Sequence, residues 1–401
     1  MGILIHNARI ILPDTILVGS VKLDGDRIGA VGSGIRACDG PALDLQGCYL
    51  APGFIDLHMH VGMAFPERDL EFELEVCGRN LPASGTTRFL PTLISALRGD
   101  LPSHFDALRR FLSKNPEGAR PLGVHLEGPY ISLEARGAFL PSQITTPERF
   151  SIQTILECGA DLVRIVSLSP ELPGAKAVIQ DCVRRGIVVG LCHTVAGEEV
   201  YRGARQAGAT HITHTYNNRR NFPDSPFGGR AFNLDDLGVA DDPVTCELIC
   251  DGVHVKPVWI KTIYRTKGPD RISLITDSFS AGRRSAEGDK FQSPGGQLVT
   301  VCDGVGRDAF GGLAGSVLTQ DQAVRVFMRH SGCSLPEAIR CVSLNPARVL
   351  HVQDQLGSIE EGKIADLVVL DQDLAPLMSF VAGRIVFDRR EPTDSCSSHV
   401  V

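Results

Sequence analysis

Twelve of the 401 residues are cysteine, yet the sequence contains no Cys-x-x-Cys pair. Scattered cysteines without paired spacing favour free thiols that pack as small apolar side chains, as in a reducing compartment. The chain also lacks a charged-then-apolar leader, because MGILIHNARI runs directly into a strand-like pattern. We therefore expect a cytoplasmic protein.

Long apolar runs and an excess of basic charge are absent as well. No stretch reaches the roughly 18 consecutive apolar residues that a membrane-spanning helix needs. The formal net charge is -7 and the pI is about 6.0, which argues against nucleic acid or an anionic membrane as a partner, since both attract a basic surface. No Gly-x-Gly-x-x-Gly motif opens a first helix, so a dinucleotide-binding fold is not supported. A small-molecule partner is the class that remains.

Apolar, strand-like runs alternate with helix-length segments from Phe54 onward. This alternation is typical of parallel strands joined by crossover helices, and eight such units favour a closed (β/α)8 TIM-like barrel. A doubly wound open sheet is the alternative. The eight candidate strands are FIDLHMH (54–60), TTRFLPT (86–92), LGVHLE (122–127), LVRIVSL (162–168), IVVGLCH (187–193), THITH (210–214), CELICD (246–251) and ISLITD (272–277).

Short β-rich segments lie on both sides of the barrel region, and Asp-Gly, Gly and Pro residues separate them. We predict that residues 1–52 and 353–390 together form one small β-sandwich domain. The hydrolase barrel would then span residues 53–352. The polar residues 391–401 predict a flexible tail.

The stretch LAPGFIDLHMHVG, residues 50–62, holds His58 and His60 two positions apart on a predicted strand. Side chains at i and i+2 of a strand point to the same face. Two imidazoles that converge from a rigid strand form half of a site for a divalent metal. The alternative for an isolated His-x-His is two ordinary histidines on a half-buried strand.

Other predicted strands end in metal-ligating residue types too. The carboxyl ends of barrel strands meet on one face, where active sites lie. Neutral imidazoles with carboxylates favour zinc, iron or manganese over magnesium or calcium. An open metal position lowers the pKa of water and polarises a carbonyl, and a carboxylate can move the proton. The residues at these strand ends are His58, His60, Glu127, His193, His214 and Asp277.

The motifs resemble those of the amidohydrolase superfamily, and within it the N-acetylglucosamine-6-phosphate deacetylases. The resemblance extends nearly end to end, and the HLEGP and GxIxxGxxADLVVLD patterns are rather specific. It is carried by APGFIDLHMHVG, GTT at 85–87, GVHLEGPYIS, SLSPE at 167–171, CHT around His193, THTYN at 213–217, DGVHV at 251–255, TDSFSAG at 276–282, LAGSVLT at 313–319, NPAR at 345–348 and GSIEEGKIADLVVLD.

This resemblance implies a metal-dependent deacetylase in which activated water attacks an amide carbonyl. Glu127, His193 and His214 would hold the main ion, zinc before iron or manganese. His58, His60 and Asp277, with Glu127 as a bridge, would hold a second ion, which only some family members have. Asp277 would also be the general base and then the acid. The resemblance further implies a homodimer and a substrate pocket formed by His254, Asn217, Asn218, Arg230, Ala314, Gly315 and Ser316.

Three features depart from the family pattern. Phe139 stands where the deacetylases usually have a histidine that reaches the substrate. Asn217, Asn218 and Arg219 replace the usual Asn-Ala-Met, and the loop RRNFPDSPFGGRAFN lacks the usual phosphate-binding motif, although it contains Arg230. The resemblance still implies removal of the acetyl group from an N-acetylated amino sugar phosphate. Hydrolysis of a different N-acyl substrate by the same machinery is the alternative.

Two rival interpretations fit less well. A dihydropyrimidinase-like enzyme would carry a carboxylated lysine on the fourth strand, but LVRIVSLSP contains none. A non-catalytic relative would be expected to lose ligands, yet the metal-ligating positions are all present. Two further histidines precede the site motifs. We expect His125 in a barrel layer behind Glu127, and His211, which is out of phase with His214, in core packing.

Overall fold

The computed structural model describes residues 2–35, 40–62, 69–94, 100–217, 232–292 and 298–390. Its first strands are half-buried, with the Asp-Gly turn at Asp24 and Gly25 between the second and third. They are β1 (Gly2–Ile11), β2 (Ile16–Asp24), β3 (Arg27–Gly32), β4 (Ala42–Asp44) and β5 (Tyr49–Pro52).

The next strands form a parallel sheet whose barrel strands neighbour each other in chain order. They are β6 (Phe54–His60), β7 (Thr86–Leu93), the short side strand β8 (Arg120–Pro121), β9 (Val124–Glu127), β10 (Val163–Leu168), β11 (Val188–Leu191), β12 (His211–Ile212), β13 (Thr245–Ile249) and β14 (Ile272–Ile275). Every residue of β6 and β7 is buried, as is usual for parallel strands that are covered on both faces.

Backbone hydrogen bonds close this sheet into a barrel. The N–H of Asp277, just past β14, donates to the carbonyl of His58 at 2.8 Å, and the N–H of His60 donates to Ser278 at 2.8 Å. All eight predicted strands are present in the predicted order. The (β/α)8 fold class is therefore confirmed.

Helices cover the outside of the barrel, and apolar side chains from strands and helices share one core. The helices are α1 (Leu70–Asn80), α2 (Asp100–Ser113), α3 (Ile152–Gly159), α4 (Ala175–Arg184), α5 (Glu198–Ala207), α6 (Leu234–Ala240), α7 (Pro257–Lys267), α8 (Gln320–Ser331), α9 (Leu335–Val342) and α10 (Leu344–Val349). None of the helices in the described ranges combines the length and apolar character that crossing a bilayer requires.

The remaining strands form two groups. A small antiparallel sheet follows β14 and contains β15 (Lys290–Gln292), β16 (Leu298–Cys302) and β17 (Val305–Arg307). The last group is β18 (Leu367–Leu370), β19 (Pro376–Val381) and β20 (Arg384–Asp388). These last strands continue the N-terminal sheet in the order β20-β19-β18-β5-β1-β2-β3, with β4 beside β1.

Both chain ends therefore build one sheet with its own apolar core, which includes Ile5, Val21, Leu50 and Phe380. The exact domain boundaries stay a prediction, and the expected tail at 391–401 lies outside the described residues.

Candidate metal centre

Three of the predicted ligands share an uncommon backbone conformation. His193, His214 and Asp277 each lie two residues beyond the strand that carries them, and their φ angles are 45°, 33° and 50°. Residues other than glycine rarely adopt this left-handed region, and those that do are concentrated at functional sites. The kink places three polar side chains together over the end of the barrel.

Glu127, His193 and His214 form the tightest cluster. Oε1 of Glu127 lies 3.1 Å from Nε2 of His193 and 2.8 Å from Nε2 of His214, and the two nitrogens are 3.2 Å apart. Ligand atoms around a tetrahedral zinc ion, with metal–nitrogen distances of about 2.0–2.1 Å, lie about 3.3 Å from each other. The spacing of these three atoms therefore fits a metal ion, which the structure does not contain.

A second cluster faces the other oxygen of Glu127. Nε2 of His60 lies 2.8 Å from Oδ1 of Asp277, and Nε2 of His58 lies 3.4 Å from the same oxygen. Both nitrogens lie 3.7 Å from Oε2 of Glu127. His58, His60 and Asp277 are all buried and lie close enough together to hold a metal ion. The Glu127 carboxylate is thus placed to bridge two ions.

Electrostatics favour the metal-binding protonation states of Glu127, Asp277 and His214. At His58, burial lowers the pKa, but Asp277 and Glu127 raise it well above its usual range. Burial raises the pKa of Glu127, but the neighbouring imidazoles of His58, His193 and His214 lower it by more, so the pKa lies well below its usual range. Burial also raises the pKa of Asp277, but His58 and His60 lower it by more, so the pKa lies below its ordinary value. Burial lowers the pKa of His214, which keeps its ring neutral. Ionised carboxylates and neutral imidazoles are the forms that coordinate metals.

Hydrogen bonds behind the cluster orient the imidazoles. Nδ1 of His193 lies 2.9 Å from the carbonyl of Ala135, and a carbonyl can only accept. Nδ1 must therefore carry the proton, so Nε2 presents its lone pair to the cluster. On the other side, Nδ1 of His58 lies 3.1 Å from Oε2 of Glu247.

Sequence reasoning missed Glu247, the buried acid of β13. Its carboxylate contacts His58, Nε2 of His211 at 3.0 Å and the backbone N–H of His214 at 3.2 Å. Burial raises its pKa, but His211 and His58 lower it well below the usual range. His211, expected in core or helix packing, is buried, and its ring also contacts Glu247 and Thr245. In the sequence, the signal that could have identified Glu247 is its position as a single acidic residue inside the apolar run CELIC.

His125 completes this layer below the metal centre. With His58 and Glu247 it forms a third group of potential ligands. Its Nδ1 lies 3.0 Å from the carbonyl of Leu57 and its Nε2 lies 2.7 Å from Oγ of Ser167, so both ring nitrogens are already occupied. Burial lowers the pKa of His125 to about 3, which keeps the ring neutral. These residues therefore form a hydrogen-bonded layer of the barrel and not a further metal site. The expectation that His125 lies in a barrel layer agrees with this position.

A cavity opens above the two clusters. The predicted pocket residues Ala314 and Gly315 line it. Ser316 instead turns its hydroxyl to the carbonyl of Thr276, and its N–H donates to the carbonyl of Asp277 at 3.0 Å. The described lining residues are His60, Ile94, Glu127, Ala138, Phe139, His193, His214, Asp277, Phe279, Ala314 and Gly315.

His254 and Asn217 are not among the described residues that line the cavity. His254 sits in the loop after β13, where its Nδ1 lies 2.5 Å from Oδ2 of Asp251. Asn217 is buried, and its N–H donates to the carbonyl of His214 at 2.9 Å. Asn218 and Arg230 lie outside the described residues.

Comparison with known proteins identifies the family. Residues 49–388 match the model of the amidohydrolase family. The chain belongs to the amidohydrolase family. Its relatives include the N-acetylglucosamine-6-phosphate deacetylase of Bos taurus, which is 34% identical over 87% of this chain and 86% of its own length.

Solved structures of this family share the fold. The N-acetylglucosamine-6-phosphate deacetylase of Pasteurella multocida is 32% identical and superposes with a TM-score of 0.86, covering 96% of this chain and 99% of its own. A mutant of the Mycobacterium smegmatis deacetylase, solved in complex with N-acetyl-D-glucosamine-6-phosphate, is 32% identical with a TM-score of 0.83, covering 96% and 99%.

These findings confirm the family resemblance that the motifs predict. The chain is an enzyme that hydrolyses an amide, and its family is metal-dependent. The roles of individual site residues stay predictions.

Proposed function

We propose that this amidohydrolase removes the acetyl group of N-acetylglucosamine 6-phosphate and releases acetate and glucosamine 6-phosphate. The observation that most directly supports this proposal is the cluster of Glu127, His193 and His214, whose facing oxygen and nitrogen atoms lie 2.8–3.2 Å apart. Asp277 lines the same cavity. Deacetylases at about one-third identity over most of the chain support the choice of substrate.

The chain's own residues supply binding and proton transfer. A bound divalent ion supplies a Lewis acid that polarises the amide carbonyl and lowers the pKa of water. Asp277 accepts the proton of the attacking water at its carboxylate and returns it to the leaving nitrogen. Its low pKa keeps it in the ionised form that begins this sequence. The apolar side chains of Ile94, Phe139 and Phe279 restrict bulk water around the reacting bond.

Zinc is the ion that we propose for the first cluster. Two imidazoles and one carboxylate with room for a fourth ligand match catalytic zinc sites, and iron or manganese tolerate the same donors. His58, His60 and Asp277 would hold a second ion that shares Glu127. A homodimer and a cytoplasmic location, both predicted from the sequence, stay part of this proposal.

A different N-acyl substrate is the second candidate, because the cavity wall is apolar where a sugar needs polar partners. Phe139 packs edge-on against His193, with ring centroids 5.1 Å apart, and Ile94 and Phe279 lie on the same wall. No arginine is among the described residues that line the cavity. Arg219, Arg220 and Arg230, the candidates for a phosphate contact, lie outside the described part of the chain.

Steady-state kinetics with metal-loaded enzyme separate the two candidates. N-acetylglucosamine 6-phosphate, N-acetylglucosamine and N-acyl hexosamine phosphates with longer acyl chains form the panel, and acetate or acid release is measured. We expect kcat/KM of at least about 10⁴ M⁻¹s⁻¹ on N-acetylglucosamine 6-phosphate. A much lower value there, with efficient turnover of another member of the panel, would establish the second candidate.

A further inference from the structure

Glu247 is a buried charge that the catalytic steps above do not use. It lies on β13 and its side chain has no exposed surface. Three donors surround its carboxylate, which are Nδ1 of His58 at 3.1 Å, Nε2 of His211 at 3.0 Å and the N–H of His214 at 3.2 Å. Burying an ionised carboxylate is costly, so such a group persists where its partners need it.

The contact with His58 determines which ring nitrogen is free. When Nδ1 of His58 donates to Glu247, the lone pair of the neutral ring is on Nε2. Nε2 is buried, has no hydrogen-bond partner among the described residues, and faces Asp277 and Glu127 at 3.4 and 3.7 Å. An unpartnered buried nitrogen aimed at two carboxylates is placed to coordinate a cation.

The contact with His214 reaches the first cluster. Oε2 of Glu247 accepts from both Nδ1 of His58 and the backbone N–H of His214. His214 holds its left-handed φ of 33° directly above this contact. One carboxylate oxygen therefore holds a side chain of the second cluster and the backbone of the first.

His211 contacts the other carboxylate oxygen of Glu247. Its Nε2 contacts Oε1, and its Nδ1 lies 2.6 Å from Oγ1 of Thr245. With both ring nitrogens engaged, His211 fixes the rotation of the Glu247 carboxylate. The chain of contacts runs from Thr245 through His211 and Glu247 to His58.

We propose that Glu247 is a positioning residue that fixes the tautomer of His58 and thereby sets the affinity of the second metal site. The proposal rests on the metal centre of the proposed function. Outer hydrogen bonds of this kind typically change metal affinity by about 10–100-fold.

Glu247→Gln tests this with almost no change in volume. The glutamine amide can accept on one side only, and its NH₂ group then meets a second donor. Whichever way the amide is turned, the negative charge that raises the basicity of His58 is lost. Where the NH₂ group faces His58, that ring must also move its proton to Nε2, the atom that faces the site. Cobalt(II) is the probe, with binding followed by calorimetric titration and by visible absorption, so no measurement depends on activity.

We expect the wild-type protein to bind two cobalt ions. Glu247→Gln should bind the first with wild-type affinity and the second about 10–100-fold more weakly. The control is Glu73→Gln on α1, which changes another glutamate that is 1% exposed and lies outside the site. This control should bind both ions as the wild type does, even if it is less stable.

A purely structural role for Glu247 gives a different result. Glu247→Gln would then lower the melting temperature but bind both ions normally, and this outcome would overturn the proposal. So would a wild-type protein that binds only one ion at saturation. If Glu247→Gln does not fold, Glu247→Asp decides by the same criteria, because it keeps the charge but shortens the reach to His58.

The proposed function can fail independently. A wild-type protein that binds two ions but does not hydrolyse N-acetylglucosamine 6-phosphate would refute the substrate while leaving the role of Glu247 intact. Normal deacetylation by Glu247→Gln with an unchanged second site would refute only the inference.

Discussion

Oδ1 of Asp277 lies 2.8 Å from Nε2 of His60, and both side chains are almost fully buried at the base of the cavity. A carboxylate in this position can contact a metal ligand and the reacting atoms at the same time. The proposed function gives Asp277 two roles, as ligand and as base, which substitution can separate.

Asp277→Asn should retain the fold and the ion of the first cluster but lose kcat by about 10²–10⁴, the usual contribution of a general base. Asparagine is suited to this test because it tolerates the left-handed φ of 50° at this position. Kinetics and metal analysis by mass spectrometry provide the two measurements.

Asp303→Asn is the matched control, since Asp303 has a similar φ of 54° but is exposed. Its activity should stay at the wild-type level. Normal turnover by Asp277→Asn with the same metal content would show that another group is the base.

Metal removal provides a second prediction. A ligand that binds only the folded state, at 100 times its Kd, stabilises a protein by about 2.7 kcal/mol. Stripping the ions with a chelator should therefore lower the melting temperature by several degrees, and added zinc should restore it. In His193→Ala, which removes one imidazole of the first cluster, the response to zinc should shrink. An unchanged response in this variant would place the ion elsewhere.

The sequence predicts the barrel well, and the polar side chains that it places at the strand ends do lie close together, because both features follow from local patterns. Apolar runs at regular intervals predict strands, and polar residues at their carboxyl ends must meet on one face of a barrel. The role of Glu247 cannot be predicted from local patterns, because its partner His58 lies 189 positions away in the sequence. Only closure of the barrel brings β13 and β6 together.

Side-chain direction beyond the strand ends is also hard to predict. Ser316 belongs to a motif assigned to the pocket wall, yet its hydroxyl is used to hold the carbonyl of Thr276. His193, His214 and Asp277 lie past their strands in left-handed conformations, which the strand-like runs around them do not predict. Long-range packing determines both features.

Phe139 offers a test of substrate choice. It is buried beside His193 and presents only carbon to the cavity. If N-acetylglucosamine 6-phosphate is the substrate, Phe139→His should gain one hydrogen bond of about 0.5–1.5 kcal/mol, which raises kcat/KM by roughly 2–10-fold. Phe139→Leu, which adds no donor, should show no gain. Loss of activity in Phe139→His would instead favour a substrate with an apolar group at this wall.

The ion pair of Arg88 and Asp366 joins the barrel to the terminal sheet. Nε and Nη2 of Arg88 lie 2.5 and 3.1 Å from the two carboxylate oxygens, and both residues are buried. Oδ1 of Asp366 also accepts from the N–H of Ala382 at 2.8 Å. Arg88 lies on β7 and Asp366 directly precedes β18, so the contact spans the two parts of the fold.

Breaking this pair should be costly, because removal of one partner leaves the other buried and uncompensated. Arg88→Met should destabilise the protein by about 3–5 kcal/mol, measured from the midpoint and slope of urea unfolding. Glu198→Gln, which breaks the exposed pair with Arg202, should cost less than about 1 kcal/mol.

The pair of Asp251 and His254 predicts a loss of stability in acid. Burial raises the pKa of Asp251, but the hydrogen bond from His254 and the N–H groups of Val253 and His254 lower it below its ordinary 3.8. A lowered pKa stabilises the folded state above the unfolded pKa, and this stability is lost as the pH falls through the folded value. Asp251→Asn should therefore reduce the urea midpoint at pH 7 and at pH 5 by the same amount. As the pH falls below 3.8, the ordinary pKa of this carboxyl, the difference from wild type should shrink. A difference that stays constant there would show that the Asp251 charge does not stabilise the loop.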